Sequence, residues 1–160
     1  MKAVEMTAPG GPEVLAFRDV PEPELSTRTQ IRVRLRAAGV NPVDCKQRGR
    51  GTWMPGTLPA ILGLDGAGTV VEAAPDVRSF APGAEVYFAH GGLGREPGTY
   101  AQYTVVEERF AARKPSTLSF AEAAAVPCSL ITAWEGLFTF GRLQGGESVL
   151  VHAGAGGVGH

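Results

Sequence analysis

Glu147-Ser148-Val149-Leu150-Val151-His152-Ala153-Gly154-Ala155-Gly156-Gly157-Val158-Gly159 is the stretch on which the fold class turns. Val149, Leu150 and Val151 are strand formers without polar alternation, the pattern of a strand covered on both faces in a parallel sheet. The predicted strand runs from Glu147 to Ala153 and encloses His152 as a satisfied core histidine. Gly154, Gly156 and Gly159 then complete a G-x-G-x-x-G directly after it. Gly154 permits the tight turn out of the strand. Gly156 lets the backbone approach a pyrophosphate with no Cβ in the way, and Gly159 allows the next helix to pack closely. A helix N-terminus there offers unpaired N–H groups and a partial positive charge to phosphates. The competing reading is a flexible glycine-rich tail, for which Val149-Leu150-Val151 is a poor prelude. A lone strand and loop cannot bury both faces, so the expectation is that these residues open a domain continued in a longer protein.

Upstream, the chain reads as short strands separated by turns. Lys2–Thr7, Val14–Val20, Gln30–Ala38, Gly68–Ala73, Glu85–Ala89 and Thr99–Val106 are the strand candidates. In Gln30–Ala38, Ile31, Val33, Leu35 and Ala37 alternate with Arg32, Arg34 and Arg36, the period of a half-buried strand. Many short strands with Gly and Pro turns suggest a barrel or sandwich. The character changes near Pro115. Ser119-Phe120-Ala121-Glu122 is a capping box opening an alanine-rich helix. Pro127 breaks that helix and starts a second one through about Phe140, with Leu130, Trp134, Leu137 and Phe138 on one apolar stripe. The fold class is therefore α/β with a β-rich N-terminal part, divided into residues 1–115 and 116–160.

Composition removes several function classes. With 15 Lys+Arg against 16 Asp+Glu, the net charge is −1 and there is no basic run, so no footprint for nucleic acid or an anionic membrane. No uncharged apolar stretch is long enough to span a bilayer, and the N-terminus alternates where a leader would carry an apolar core. Cys45 and Cys128 are far apart and lack an adjacent base. The expectation is two inert thiols in a reducing, cytoplasmic compartment.

Six landmarks occur in order: Ala38-Gly39-Val40-Asn41-Pro42-Val43-Asp44; Leu62 through Val71; Phe80-Ala81-Pro82-Gly83; Gly98-Thr99-Tyr100-Ala101; Ala123 through Pro127 with Ile131-Thr132-Ala133-Trp134; and Glu147 through Gly159. On these the chain resembles the medium-chain dehydrogenase/reductase superfamily and, within it, the zinc-free quinone oxidoreductase (zeta-crystallin-like) branch. The resemblance implies a GroES-like β-barrel domain followed by the start of a Rossmann nucleotide-binding domain, with the active site in the cleft between them. It implies NADP(H) as cofactor, with NAD(H) left open, a quinone or α,β-unsaturated carbonyl as substrate, and a homodimer. Two other readings stand beside it. One is a noncatalytic nucleotide-binding relative with a regulatory or partner-binding role; the other is an enoyl-reductase module of a larger synthase.

The resemblance also carries residue roles. Asn41 lies beside the nicotinamide ribose, or caps the helix opening at Pro42, or does both. Thr132 approaches the nicotinamide, or is a packing residue of its helix. Gly154, Gly156, Gly157, Val158 and Gly159 form the pyrophosphate loop. Asp44 and Lys46 are catalytic candidates; some family members carry a tyrosine near position 46, and the alternative is a charged pair on an exposed helix turn. Trp53 either walls the substrate site or covers the barrel. In the chemistry that the resemblance implies, the proton at the end of hydride transfer comes from solvent or an ordered water. In the zinc-dependent branch the Asn41 region carries a cysteine ligand and Gly63-Leu64-Asp65 reads Gly-His-Glu; here an amide and a leucine stand instead, and no C-x-x-C occurs, so no zinc is expected. Turnover of a quinone by the protein carrying this chain should survive phenanthroline; loss of rate that zinc restores would contradict this.

Overall fold

The computed structural model describes all 160 residues. Its first part is a partly open barrel of two antiparallel sheets. One sheet joins β2 (Leu15–Asp19), β1 (Lys2–Met6) and β4 (Ala60–Ile61) in that order. The other has the order β7 (Tyr103–Glu107), β3 (Gln30–Ala38), β5 (Asp65–Ala73), β6 (Glu85–Ala89) and β8 (Ala111–Arg113). The two sheets are stitched by residues 100–102. The Val4 N–H donates to the Tyr100 carbonyl at 2.8 Å and the Gln102 N–H to the Lys2 carbonyl at 3.0 Å, while the Leu35 N–H reaches the Gln102 carbonyl at 2.9 Å. This crossing shortens the strand expected from Thr99: its first residues bridge the sheets, and the regular ladder begins at Tyr103.

β3 is the spine of the larger sheet, paired with β5 on one side and β7 on the other. Its alternation does what the sequence implies. Ile31 and Val33 are buried with Val70, Val86, Phe88, Phe80 and Val106, whereas Arg34 and Arg36 face solvent. Arg32, between them, is half-buried and pairs with Glu72 at 2.9 Å. At Leu35, β3 lies against Gly68 of β5, where an added Cβ would run into the Arg34 carbonyl. Glycine permits that close approach.

α1 (Pro42–Arg50) follows β3. α2 (Phe120–Ala125) begins with the capping box at Ser119, whose hydroxyl accepts the Glu122 N–H at 3.2 Å while the Glu122 carboxylate accepts the Ser119 N–H at 2.8 Å. α2 packs Ala123 and Ala124 against Ala67 of β5. Pro127 then opens α3 (Pro127–Trp134), which passes into a π-helical segment, Glu135–Phe140. No helix is long and apolar enough to cross a membrane.

Three expectations are corrected. Glu147–Ala153 forms no strand, and Val149, Leu150 and Val151 are exposed, Leu150 to 82%. A parallel strand draws its hydrogen bonds from neighbours on its edges, and no other strand of this chain lies beside it. His152 is accordingly exposed, not a core histidine. The stripe of the second helix is also largely exposed. Leu130, Trp134 and Phe138 face outward, with the Trp134 and Phe138 rings packed on each other at 4.6 Å between centroids.

Ile31 is completely buried at the centre of the main cluster. Ile31→Ala is expected to cost about 2–5 kcal/mol, from lost transfer energy plus a residual cavity, read as a lower urea midpoint with little change in slope.

Candidate active site

The ends of β3 and β5 meet where the Gly39 N–H donates to the Asp65 carbonyl at 2.9 Å. This places Asp65, the first residue of β5, beside Asn41, the residue before α1. The Asp65 side chain is 1% exposed. One carboxylate oxygen accepts the Asn41 side-chain N–H (Nδ2) at 2.9 Å, and the other accepts the Cys128 main-chain N–H at 3.0 Å. Cys128 is the second residue of α3. Pro127 before it has no N–H, and Val126 offers no side-chain acceptor, so the carboxylate from β5 takes the place of a local cap. Burial pushes the Asp65 carboxyl up, the two N–H donors pull it down, and the nearby Asp44 charge raises it again.

Asp44 is the second buried carboxylate, 4% exposed. Its Oδ2 accepts the Asn41 main-chain N–H at 2.8 Å, the reciprocal arm of a capping box, and the Tyr100 hydroxyl at 2.9 Å. Its Oδ1 is buried without a partner. Burial first, and then the Asp44 charge, pushes the Tyr100 phenol far above its ordinary range, in keeping with a hydroxyl that donates to Asp44. This corrects the reading of Asp44 and Lys46 as an exposed charged pair. Residues two apart on a helix face different directions: Asp44 points into the protein, and Lys46 is exposed with no ion pair. The cap reading of Asn41 holds in part. It is the N-cap residue and forms a capping box with Asp44, while its Nδ2 donates away from the helix, to Asp65.

Thr132 continues the chain of polar contacts. Its hydroxyl donates to the Cys128 carbonyl one turn back, at 2.7 Å. Asn41, Asp65, Cys128 and Thr132 are thus linked in series from the barrel into α3. Thr132 also lines a cleft of about 550 Å³ together with Gly156, Val158 and Gly159, with Leu137 and Val151 among its apolar walls. Gly157 and Val158 line an adjoining groove beside Ser129. The loop is coiled into turns: the Gly156 N–H donates to the Ala153 carbonyl at 2.9 Å and the Gly159 N–H to the Gly156 carbonyl at 3.0 Å. The N–H groups of Gly154, Ala155, Gly157 and Val158 remain unpaired.

Lys46 and Trp53 lie elsewhere, in a groove of about 370 Å³ with Gln47, Arg50 and Thr52. Trp53 is 67% exposed. Gln47, buried beneath, donates to the Gly92 carbonyl at 2.9 Å and so ties α1 to the Gly91–Gly94 turn. Cys45 is exposed and Cys128 half-buried, both as free thiols; burial, and secondarily the Asp65 charge, pushes the Cys128 thiol up. No three or more His, Cys, Asp or Glu side chains are grouped to hold a metal ion. Asp65 and Tyr100 have no role in the sequence reading beyond lying in its landmarks. Asp65 had one available signal: it is the single charged residue between Pro59 and Val71, and a lone charge in an apolar run is buried with partners or not tolerated.

The profile of the Alcohol dehydrogenase GroES-like domain matches residues 27–116. The chain is 39% identical to a quinone oxidoreductase of Pseudomonas aeruginosa, over 99% of this chain and 47% of that protein. It is 38% identical to the NADPH-dependent alkenal/one oxidoreductase, chloroplastic, of Arabidopsis thaliana, over 99% of this chain and 42% of that protein. The solved structure of an alcohol dehydrogenase superfamily protein from Novosphingobium aromaticivorans superposes with a TM-score of 0.92 at 40% identity, covering 100% of this chain and 48% of that one. The chain thus spans about half the length, or less, of these relatives.

Removing the Tyr100 hydroxyl leaves Asp44 with a single donor in a buried setting. Tyr100→Phe is expected to destabilise the fold by about 1–3 kcal/mol, measured by urea denaturation, with the secondary structure unchanged by circular dichroism.

Proposed function

Because this chain belongs to the alcohol dehydrogenase GroES-like domain family, we propose that it supplies the barrel and the entrance to the nucleotide site of an NAD(P)H-dependent oxidoreductase reducing quinones or α,β-unsaturated carbonyls. The reading follows the names of the two relatives, a quinone and an alkenal/one oxidoreductase. The observation that supports it most is the cleft in which Thr132 meets Gly156, Val158 and Gly159. Its volume falls in the range of small-molecule sites. A dinucleotide fits the donor set: the unpaired N–H groups of Gly157 and Val158 suit diphosphate oxygens. Thr132 donates its proton to the Cys128 carbonyl, so its remaining lone pairs accept. That polarity suits an amide or hydroxyl donor of the nicotinamide end. NADP(H), when bound, supplies the hydride. The residues of this chain hold and orient it.

Residues 1–115 act in this reading as the barrel unit and residues 116–160 as the lead into the nucleotide-binding unit. Metal is not called on: Asn41 is engaged by Asp65, and Leu64 has no ligand atom. Trp53, with Lys46 nearby, borders a groove apart from the cleft and is assigned to substrate contact only at its margin. The exposed apolar residues of α3 and of 149–151 suit a covering nucleotide-binding unit, and assembly as a homodimer in the cytoplasm completes the reading.

Calorimetric titration of the protein carrying this chain should show NADPH binding, and NADPH absorbance should fall on adding para-benzoquinone or an enone. Binding with no turnover of either acceptor would point instead to a noncatalytic nucleotide-binding role.

A further inference from the structure

We propose that the groove between the last two turns of α1 and the loop carrying Trp53 is a binding site for a flat organic anion, of which an aromatic carboxylate is the simplest member. The inference concerns binding alone and stands apart from the oxidoreductase reading above.

Lys46, Arg48 and Arg50 follow one another on α1, and no acidic residue occurs from Cys45 to Leu64, in a chain whose net charge is −1. Arg48 is engaged by the fold: its Nε donates to the Gly10 carbonyl at 3.3 Å. Lys46 and Arg50 lie four positions apart on one helix face, where like charges repel. Both are exposed and neither forms an ion pair. The other two lysines of the chain do, Lys2 with Asp19 and Lys114 with Glu85. The helix macrodipole accounts for a cation at Arg50, in the last turn, but Lys46 lies before that turn. The chain then folds back on the helix. Gly51 leaves α1 with φ 104° and donates its N–H to the Gln47 carbonyl at 2.8 Å. The buried Gln47 side chain accepts the Trp53 N–H at 3.4 Å and donates to the Gly92 carbonyl, so both its amide ends are engaged. The Thr52 hydroxyl is held by the Met54 carbonyl at 2.9 Å. What this leaves open is a groove of about 370 Å³ where the exposed Trp53 indole joins Lys46 and Arg50, a volume at the small end of ligand sites. Its charge is wholly positive. A carboxylate answers the cations, and a guanidinium can take it with two parallel N–H groups. A flat ring answers the indole. A cationic ring, which an indole face also favours, is turned away by the two like charges.

Calorimetric titration of the protein carrying this chain should show naphthoate binding about tenfold tighter than its neutral counterpart naphthamide, and high salt should narrow that gap. Lys46→Gln with Arg50→Gln removes both charges and keeps most of each stem. Naphthoate binding should then weaken about tenfold and naphthamide binding stay within about twofold of the parent. Trp53→Leu should weaken both ligands about fivefold, since the ring is common to them. Tm of the double variant should stay near that of the parent, because neither cation has a partner in the fold. Equal affinity for the two ligands overturns the inference, as does naphthoate binding that is absent in the parent or unchanged in the double variant. A double variant with a lowered Tm and unchanged naphthoate binding overturns it in a specific way, by showing that the cations serve only the helix end. If the double variant does not fold, Lys46→Gln alone decides by the same criterion. None of these readouts uses NADPH or turnover, so failure of the oxidoreductase reading and failure of this site are separate results.

Discussion

A single buried carboxylate holds three segments of this chain in register. Asp65 begins β5, receives the Asn41 amide from the end of β3, and receives the first free N–H of α3. Each contact alone is ordinary. Together they decide the angle at which the chain leaves the barrel, because α3 has no acceptor of its own at its start and Pro127 cannot donate. Removing such an acceptor would leave two half-buried donors without it at once, which is costlier than the loss of any one hydrogen bond suggests.

The polar series from Asn41 to Thr132 has the same economy. It uses two side-chain groups of the barrel, one main-chain N–H and C=O of Cys128, and one hydroxyl. Its members therefore move as a unit if the helix shifts against the barrel. Asp44 and Tyr100 sit behind it and fix the backbone of Asn41 from the other side. Two carboxylates so close together carry a mutual penalty, relieved by the four N–H or O–H donors that they receive between them.

Much of the barrel was legible from local pattern. Gln30–Ala38 and Glu85–Ala89 form strands with the limits that their alternation implies, since the faces of each strand differ sharply in polarity. The capping box at Ser119 formed as its residues dictate. The strand at Glu147–Ala153 did not form, because propensity without a pairing partner is only a preference. Asp44 was misread for a related reason: a carboxylate looks like surface until its partners are known, and Tyr100 lies 56 positions away. Asn41, Thr132 and the glycine loop were identifiable as a set by resemblance alone. What joins the first two, the side chain of Asp65, is a long-range contact that no local periodicity encodes.

The contact between Asp65 and α3 is made to the backbone of residue 128, not to its side chain. Mutational tolerance at that position should therefore be broad, with only proline forbidden, since every other amino acid keeps the required N–H. Diversity among relatives at 128 would say nothing about whether the strut is preserved; the informative column is 65.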